Sequence, residues 1–82
     1  MVVGVMVMYE RIRNEREDLD MTQAGMAELL NIHQTTYSDY ELGNLNIPIP
    51  VIIKLADLFG TSIDYLVGRT DEKTPYPRKR AR

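Results

Sequence analysis

Residues 33–43, HQTTYSDYELG, place hydrogen-bonding side chains at a spacing that gathers several of them on one side of a helix. Gln34, Thr35, Ser38 and Asp39 share that side, while Tyr37 and Tyr40, three apart, share the other and are expected to anchor it in a core. A Gln amide donates and accepts at once, and Ser and Thr hydroxyls do the same, so the polar side can pair with the edges of a polar partner. Recognition is the chemistry this implies. No Ser/His/Asp set and no glycine-rich phosphate loop after a strand is present, and the acids fall on solvated helix faces, so no enzyme is expected. With no cysteine and one histidine, His33, neither a metal centre nor a cofactor is expected.

Five short helices and no strands are expected to hold that face in place, an all-α domain over residues 8–68. The first, near residues 8–18, turns Met8, Ile12 and Leu19 towards the core and Arg11, Glu15 and Asp18 outwards. The second opens at Thr22, whose hydroxyl can cap the free amides of a first turn, and its apolar side is Ala24, Met26, Ala27 and Leu30. It stops at Asn31, a residue that tolerates the left-handed conformation of a tight turn. The third runs from Gln34 to Leu42 and ends at Gly43. Pro48 and Pro50 precede VIIKLADLF, long and apolar enough for a fourth, which Gly60 stops. SIDYLVG supplies the fifth, capped by Thr61 or Ser62, burying Ile63, Leu66 and Tyr65 and ending at Gly68.

Eighty-two residues make one domain with a single small core. The apolar opening, MVVGVMVM, is far shorter than the roughly 20 residues that span a bilayer, and it lacks the basic start and cleavage site of a signal peptide. No membrane association is expected, and a reducing cytoplasm suits the absence of cysteine. Residues 1–7 read as an apolar extension, either a lead-in packed on the first helix or a short arm pairing two subunits. Residues 69–82 read as a basic, disordered tail with little to bury. Charge divides the same way: residues 9–68 carry four basic and ten acidic side chains, residues 69–82 six basic and two acidic. An acidic globule thus carries a basic tail.

The stretch MTQAGMAELLNIHQTTYSDYELGNLNIPIPVIIKLADLFGTSIDYLVG resembles the phage-repressor and Cro type of helix-turn-helix domain, the XRE-like family, over most of residues 9–68. The features that carry the resemblance are Thr22-Gln23 opening the second helix, Ala27 at the helix crossing, Asn31 in the turn, the Tyr37 and Tyr40 pair, Glu41 followed by Gly43, and KLADLFGTSIDYLVG closing the bundle. A small residue lets two helices cross closely, and such a crossing leaves the second helix free along one side to enter a major groove about 12 Å wide.

The resemblance implies a compact five-helix lambda-repressor-like DNA-binding domain. It implies a sequence-specific transcriptional regulator, a repressor in the usual case, that binds double-stranded DNA as a homodimer on a palindromic site. By the same resemblance Gln23 bonds a phosphate, Gln34 reads a base edge, Thr35 offers its methyl and hydroxyl, and Ser38 is the next outward candidate. Thr36 is expected at the flank as a backbone or packing contact, His33 at the cap as a capping or phosphate contact, and Asn44 and Asn46 in the loop as phosphate contacts. Arg16 and Glu41 stand at offsets where the family commonly pairs them, a structural tie that aims the reading helix.

The sequence departs from the family at Asp39, where a cation or Gln is usual. Three readings stay open there: Asp39 accepts from cytosine N4, it faces solvent at the groove edge, or the helix no longer reads DNA. The loop likewise has Asn44 and Asn46 where lysines would clamp phosphate, and the run PRKRAR either offsets that deficit or is a solvated charge run. The acidity of residues 9–68 keeps a second function class in play, an antitoxin or adaptor module that binds a protein partner on the same fold.

Overall fold

The computed structural model describes residues 9–75, which form five helices: α1 (Glu10–Asp18), α2 (Gln23–Leu30), α3 (Gln34–Leu42), α4 (Ile49–Phe59) and α5 (Ile63–Leu66). Among the described residues there is no strand, and the all-α bundle expected from the sequence is the observed architecture. Met8, the extension at residues 1–7 and the basic run Arg78–Arg82 lie outside the described residues.

Local chemistry sets most helix ends where the residue types put them. Thr22 Oγ1 accepts from the Gly25 amide at 2.9 Å and Ser62 Oγ from the Tyr65 amide at 3.0 Å, each satisfying a first-turn donor that the helix leaves free. Asn31 adopts φ 59° after α2 and Gly43 φ 81° after α3, the left-handed caps that end those helices. Pro50 sits in the first turn of α4, where its missing amide hydrogen costs no hydrogen bond. Helix α4 starts earlier than the apolar run suggests, at Ile49.

The core is built from Ile12, Met26, Ala27, Leu30, Tyr37, Ile52, Leu55, Ala56 and Leu66, so every helix contributes to it. Ile63 and Tyr65 pack against this cluster while remaining half-buried. Ala27, only 2 % exposed, lies in the α2–α3 region of the core, and the Ile32 amide bonds its carbonyl at 3.0 Å, so a small side chain and a short turn together bring α3 across α2.

Helix α1 differs from its sequence reading in its outward face. Leu19 is 51 % exposed rather than in the core, because α1 ends at Asp18 and Asp20 at φ 57° turns the chain away before the helical phase reaches it. Ala24 is likewise exposed. Glu15 is buried, not solvated, and Arg11 is half-buried. Both are covered by residues 69–75, which lie against α1 and α5: Lys73 Nζ reaches Glu15 at 2.9 Å and Arg11 reaches Asp71 at 2.6 Å. Periodicity along α1 could not reveal a cover supplied by chain more than 50 residues away.

Candidate nucleic-acid interface

The polar side of α3 is set by its buried side. Tyr37 and Tyr40 are buried, which turns Gln34 and Thr35 fully outwards and leaves Thr36, Ser38 and Asp39 half-buried at the flank. His33 is exposed at the N-cap position, and its side chain makes no capping hydrogen bond. Gln34 thus opens α3 with its amide free of any protein contact that would turn it inwards.

Behind this face lies a charged knot joining the first three helices. Arg16 Nε donates to Glu41 Oε2 at 2.7 Å and Nη2 to Oε1 at 3.3 Å, a two-pronged contact in which both residues are buried. Arg16 Nη1 donates to the Met21 carbonyl at 2.8 Å, so one guanidinium binds α1, the α1–α2 turn and α3. Gln23 Nε2 donates to Glu41 Oε1 at 3.1 Å, which brings the first residue of α2 into the same knot. This contact was not foreseen from sequence. Only a folded chain shows that one carboxylate serves both Arg16 and Gln23.

The protonation states follow from the packing. Burial pushes the Glu41 carboxyl up, but Arg16, the neighbouring Tyr37 hydroxyl and Gln23 together outweigh it and hold Glu41 below its ordinary value of 4.5. The Glu41 hydrogen bond raises Arg16 against the lowering effect of its own burial. Tyr37 is pushed well above its ordinary value by burial first and by the Glu41 carboxylate second, so its hydroxyl stays protonated. The knot is therefore a fixed ion pair at neutral pH, suited to holding geometry.

Asp39 has a partner that its position in the sequence did not suggest. Its carboxylate accepts from Asn44 Nδ2 at 3.3 Å, and its carbonyl accepts from the Asn44 amide at 2.9 Å. Asp39 and Asn44 therefore close the turn that follows α3. Asn46 is exposed in the same loop. Gln34 and Thr35 stand exposed at the start of α3, Gln23 is tied to the Glu41 carboxylate at its end, and Asn44 is drawn back to Asp39.

The first turns of α2, α3 and α4 contain no acidic residue, in contrast to Glu10 in α1 and Asp64 in α5. No acid in the first turn of these helices opposes an anion approaching their N-termini. Among the described residues no group of three or more His, Asp or Glu side chains could hold a metal ion, and no helix is long and apolar enough to cross a membrane.

Comparisons with known proteins bear on the same segment. A family model described as helix-turn-helix matches residues 12–66. The transcriptional repressor RstR of the cryptic phage CTXphi in Vibrio cholerae is 42 % identical over 65 residues, covering 77 % of this chain and 58 % of that protein. Two regulators of Bacillus subtilis match similarly: YobD at 32 % identity, covering 80 % of this chain and 59 % of its own length, and AnsR at 33 %, covering 84 % and 60 %. The chain therefore spans under two thirds of the length of these relatives. No solved structure matches it with significance.

Proposed function

Since the chain belongs to the phage-repressor and Cro-type helix-turn-helix family, we propose that it is a sequence-specific regulator of transcription that reads the major groove of double-stranded DNA with α3. The observation that carries this reading is the outward row at the start of α3. Gln34 and Thr35 stand exposed on a helix whose back is fixed by Tyr37, Tyr40 and the Arg16–Glu41 knot. Gln34 has the donor and acceptor to pair with adenine N6 and N7, and Thr35 a methyl for thymine. Ser38 and Thr36 flank them.

Gln23 fits a phosphate contact. One of its amide hydrogens is committed to Glu41, leaving the second for a phosphate oxygen, beside an α2 N-terminus with no acid in its first turn. His33 and Asn46, both exposed, are the other phosphate candidates, together with Asn44, whose second amide hydrogen is not used by Asp39. Asp39 works as a turn-closing acceptor at the groove edge, which answers why an acid is tolerated there.

Repression by occupancy of a promoter is the action we infer, supported by the 42 % identity to a phage repressor. A homodimer belongs to this reading, because one small domain touches a single half-site and two related by a two-fold axis read a palindrome with half-sites about 34 Å apart. Leu42 at the end of α3, Leu45 in the loop after it, and Ile49 and Ile53 in α4, all exposed, are an apolar surface available for such pairing.

One observation favours a second reading, a protein-binding antitoxin or adaptor: residues 9–68 carry six more acidic than basic side chains, an unhelpful sign for a polyanion. Selection of binding sites from a random duplex library separates the two. The DNA reading expects an enriched palindrome, and Gln34→Ala should weaken that site by about 1–3 kcal/mol and relax the preference at one base position per half-site. No enrichment by folded protein, or a site preference unchanged by Gln34→Ala, would sink α3 as the reader.

A further inference from the structure

The two oxygens of the Glu41 carboxylate are shared unequally. Oε2 receives Arg16 Nε alone, at 2.7 Å, while Oε1 receives both Arg16 Nη2 at 3.3 Å and Gln23 Nε2 at 3.1 Å. The Arg16–Glu41 pair already joins α1 to α3 and needs no third member to do so. Gln23 is half-buried at the first position of α2, so its amide is gripped from inside the protein and still reaches the surface.

A primary amide has two faces. Its NH2 group donates and its carbonyl accepts, and a half-turn about the terminal torsion exchanges them with little change of shape. Beside a neutral group that both donates and accepts, either orientation is satisfied, but beside an ionised carboxylate only one is. Turning the Gln23 carbonyl towards Glu41 would set two acceptors against each other. Glu41 is ionised at neutral pH because, against the upward push of burial, its donors hold it below its ordinary 4.5. The Gln23 nitrogen therefore stays on the Glu41 side, with its second hydrogen beside the first turn of α2.

That turn presents donors. Thr22 Oγ1 takes the Gly25 amide, and the amides of Gln23 and Ala24 have no acceptor among the described residues. The exposed Gln34 amide has no such carboxylate beside it and keeps both faces, as an adenine edge requires, whereas a phosphate only accepts and requires a donor.

We propose that Glu41 is a positioning residue for DNA backbone binding: its charge fixes which face of the Gln23 amide is presented, so that the remaining hydrogen meets a phosphate. This rests on the DNA-binding reading above and deepens it, since the carboxylate that ties α3 to α1 also sets the phosphate contact of α2.

The unaltered protein gives the first test, by NMR of the Gln23 side-chain amide. One of its hydrogens should exchange slowly with water in the free protein, and the other should become protected only when the selected duplex is added. Two hydrogens that exchange alike, or a second hydrogen indifferent to the duplex, would overturn the proposal. The second test places a neutral methylphosphonate at one backbone position of that duplex at a time. A position whose neutralisation weakens binding by the unaltered protein but not by Gln23→Met is the phosphate that Gln23 holds.

Glu41→Gln, shown by circular dichroism to be folded, should weaken binding roughly fivefold per half-site and erase the penalty at that same phosphate, while Gln34→Ala stays as costly as before. In a Gln23→Lys background the Glu41→Gln loss should disappear, because an ammonium has no acceptor face to turn outwards. A loss of equal size in the Gln23→Met and Gln23→Lys backgrounds would make Glu41 a purely structural residue and overturn the proposal. Should Glu41→Gln unfold, the exchange measurement and the Gln23→Met phosphate scan decide by themselves. An enriched site with no Gln23-dependent phosphate would overturn the proposal and spare the DNA reading, whereas failure of the folded protein to bind any duplex would remove both.

Discussion

Two ionic clusters hang from neighbouring turns of α1 and differ in nearly everything but composition. The inner one, Arg16 with Glu41, leaves the two side chains 10 % and 3 % exposed and joins α1, α2 and α3. In the outer one, Arg11 pairs with an Asp71 that is 98 % exposed, and the buried Glu15 is met by an exposed Lys73. Water screens the outer contacts and competes for them, whereas the inner pair has given up its water and depends on its partner. The lesson is that the same charges can join helices in the interior or fasten a segment at the surface, and burial separates the two cases.

The largest effect should come from cutting the inner pair. Arg16→Ala strands the Glu41 carboxylate in the interior and is expected to cost about 3–5 kcal/mol in urea unfolding, with Glu41→Ala similar and the double variant well short of the two combined. An additive double variant would show that the two residues do not act as a unit.

Next in size is the response to pH. Glu41 is held below its ordinary 4.5, so its contribution is fully present above that value and is lost as pH falls through the lower folded value. Lys73 is raised by its hydrogen bond to Glu15, so its contribution is present below its ordinary 10.5 and fades as pH rises through the higher folded value. The unfolding midpoint should therefore drop clearly on acidification below about pH 4.5. On the alkaline side the buried Tyr37, held well above its ordinary 10.0, also loses its contribution as pH rises past that value, so the Lys73 share is read as the difference between the protein and Lys73→Met and should be slight. A Lys73 share larger than the acid drop would reverse the ranking of the two clusters.

The smallest effect belongs to Asp71→Asn, which removes the charge of an exposed partner and should leave the thermal midpoint within experimental error. A clear loss of stability there would mean that the segment after α5 is part of the core's support, and that the contrast between inner and outer clusters is one of degree.

Much of the polar face of α3 was legible before folding. The Tyr37 and Tyr40 spacing, the Gly43 stop and the Thr22 cap are short-range features, in which a residue's type and its neighbours within one or two turns suffice. The Arg16–Glu41 contact was also legible, but through resemblance to a family and not through any local rule. Asp39 was not. Its acidic character raised a question about base contact, and its partner within the protein, an Asn44 amide five residues on, depends on how the loop after α3 returns.

The segment after α5 shows the limit most clearly. Polar residues with little periodicity gave no reason to expect chain 69–75 against α1, and the Arg11 and Glu15 positions read as solvent-facing because a helix's own phase cannot say what will cover it. Sequence by itself determined five helices, the caps at Thr22, Asn31, Gly43 and Gly60, most of the apolar stripes that bring them together and the polar side of α3, since each depends on chemistry within a turn or two. Tertiary structure alone decided that Glu41 serves both Arg16 and Gln23, that Asp39 is occupied and that the chain after α5 lies along α1. These contacts join groups far apart in the chain, and they form only once the core has fixed the helices against one another.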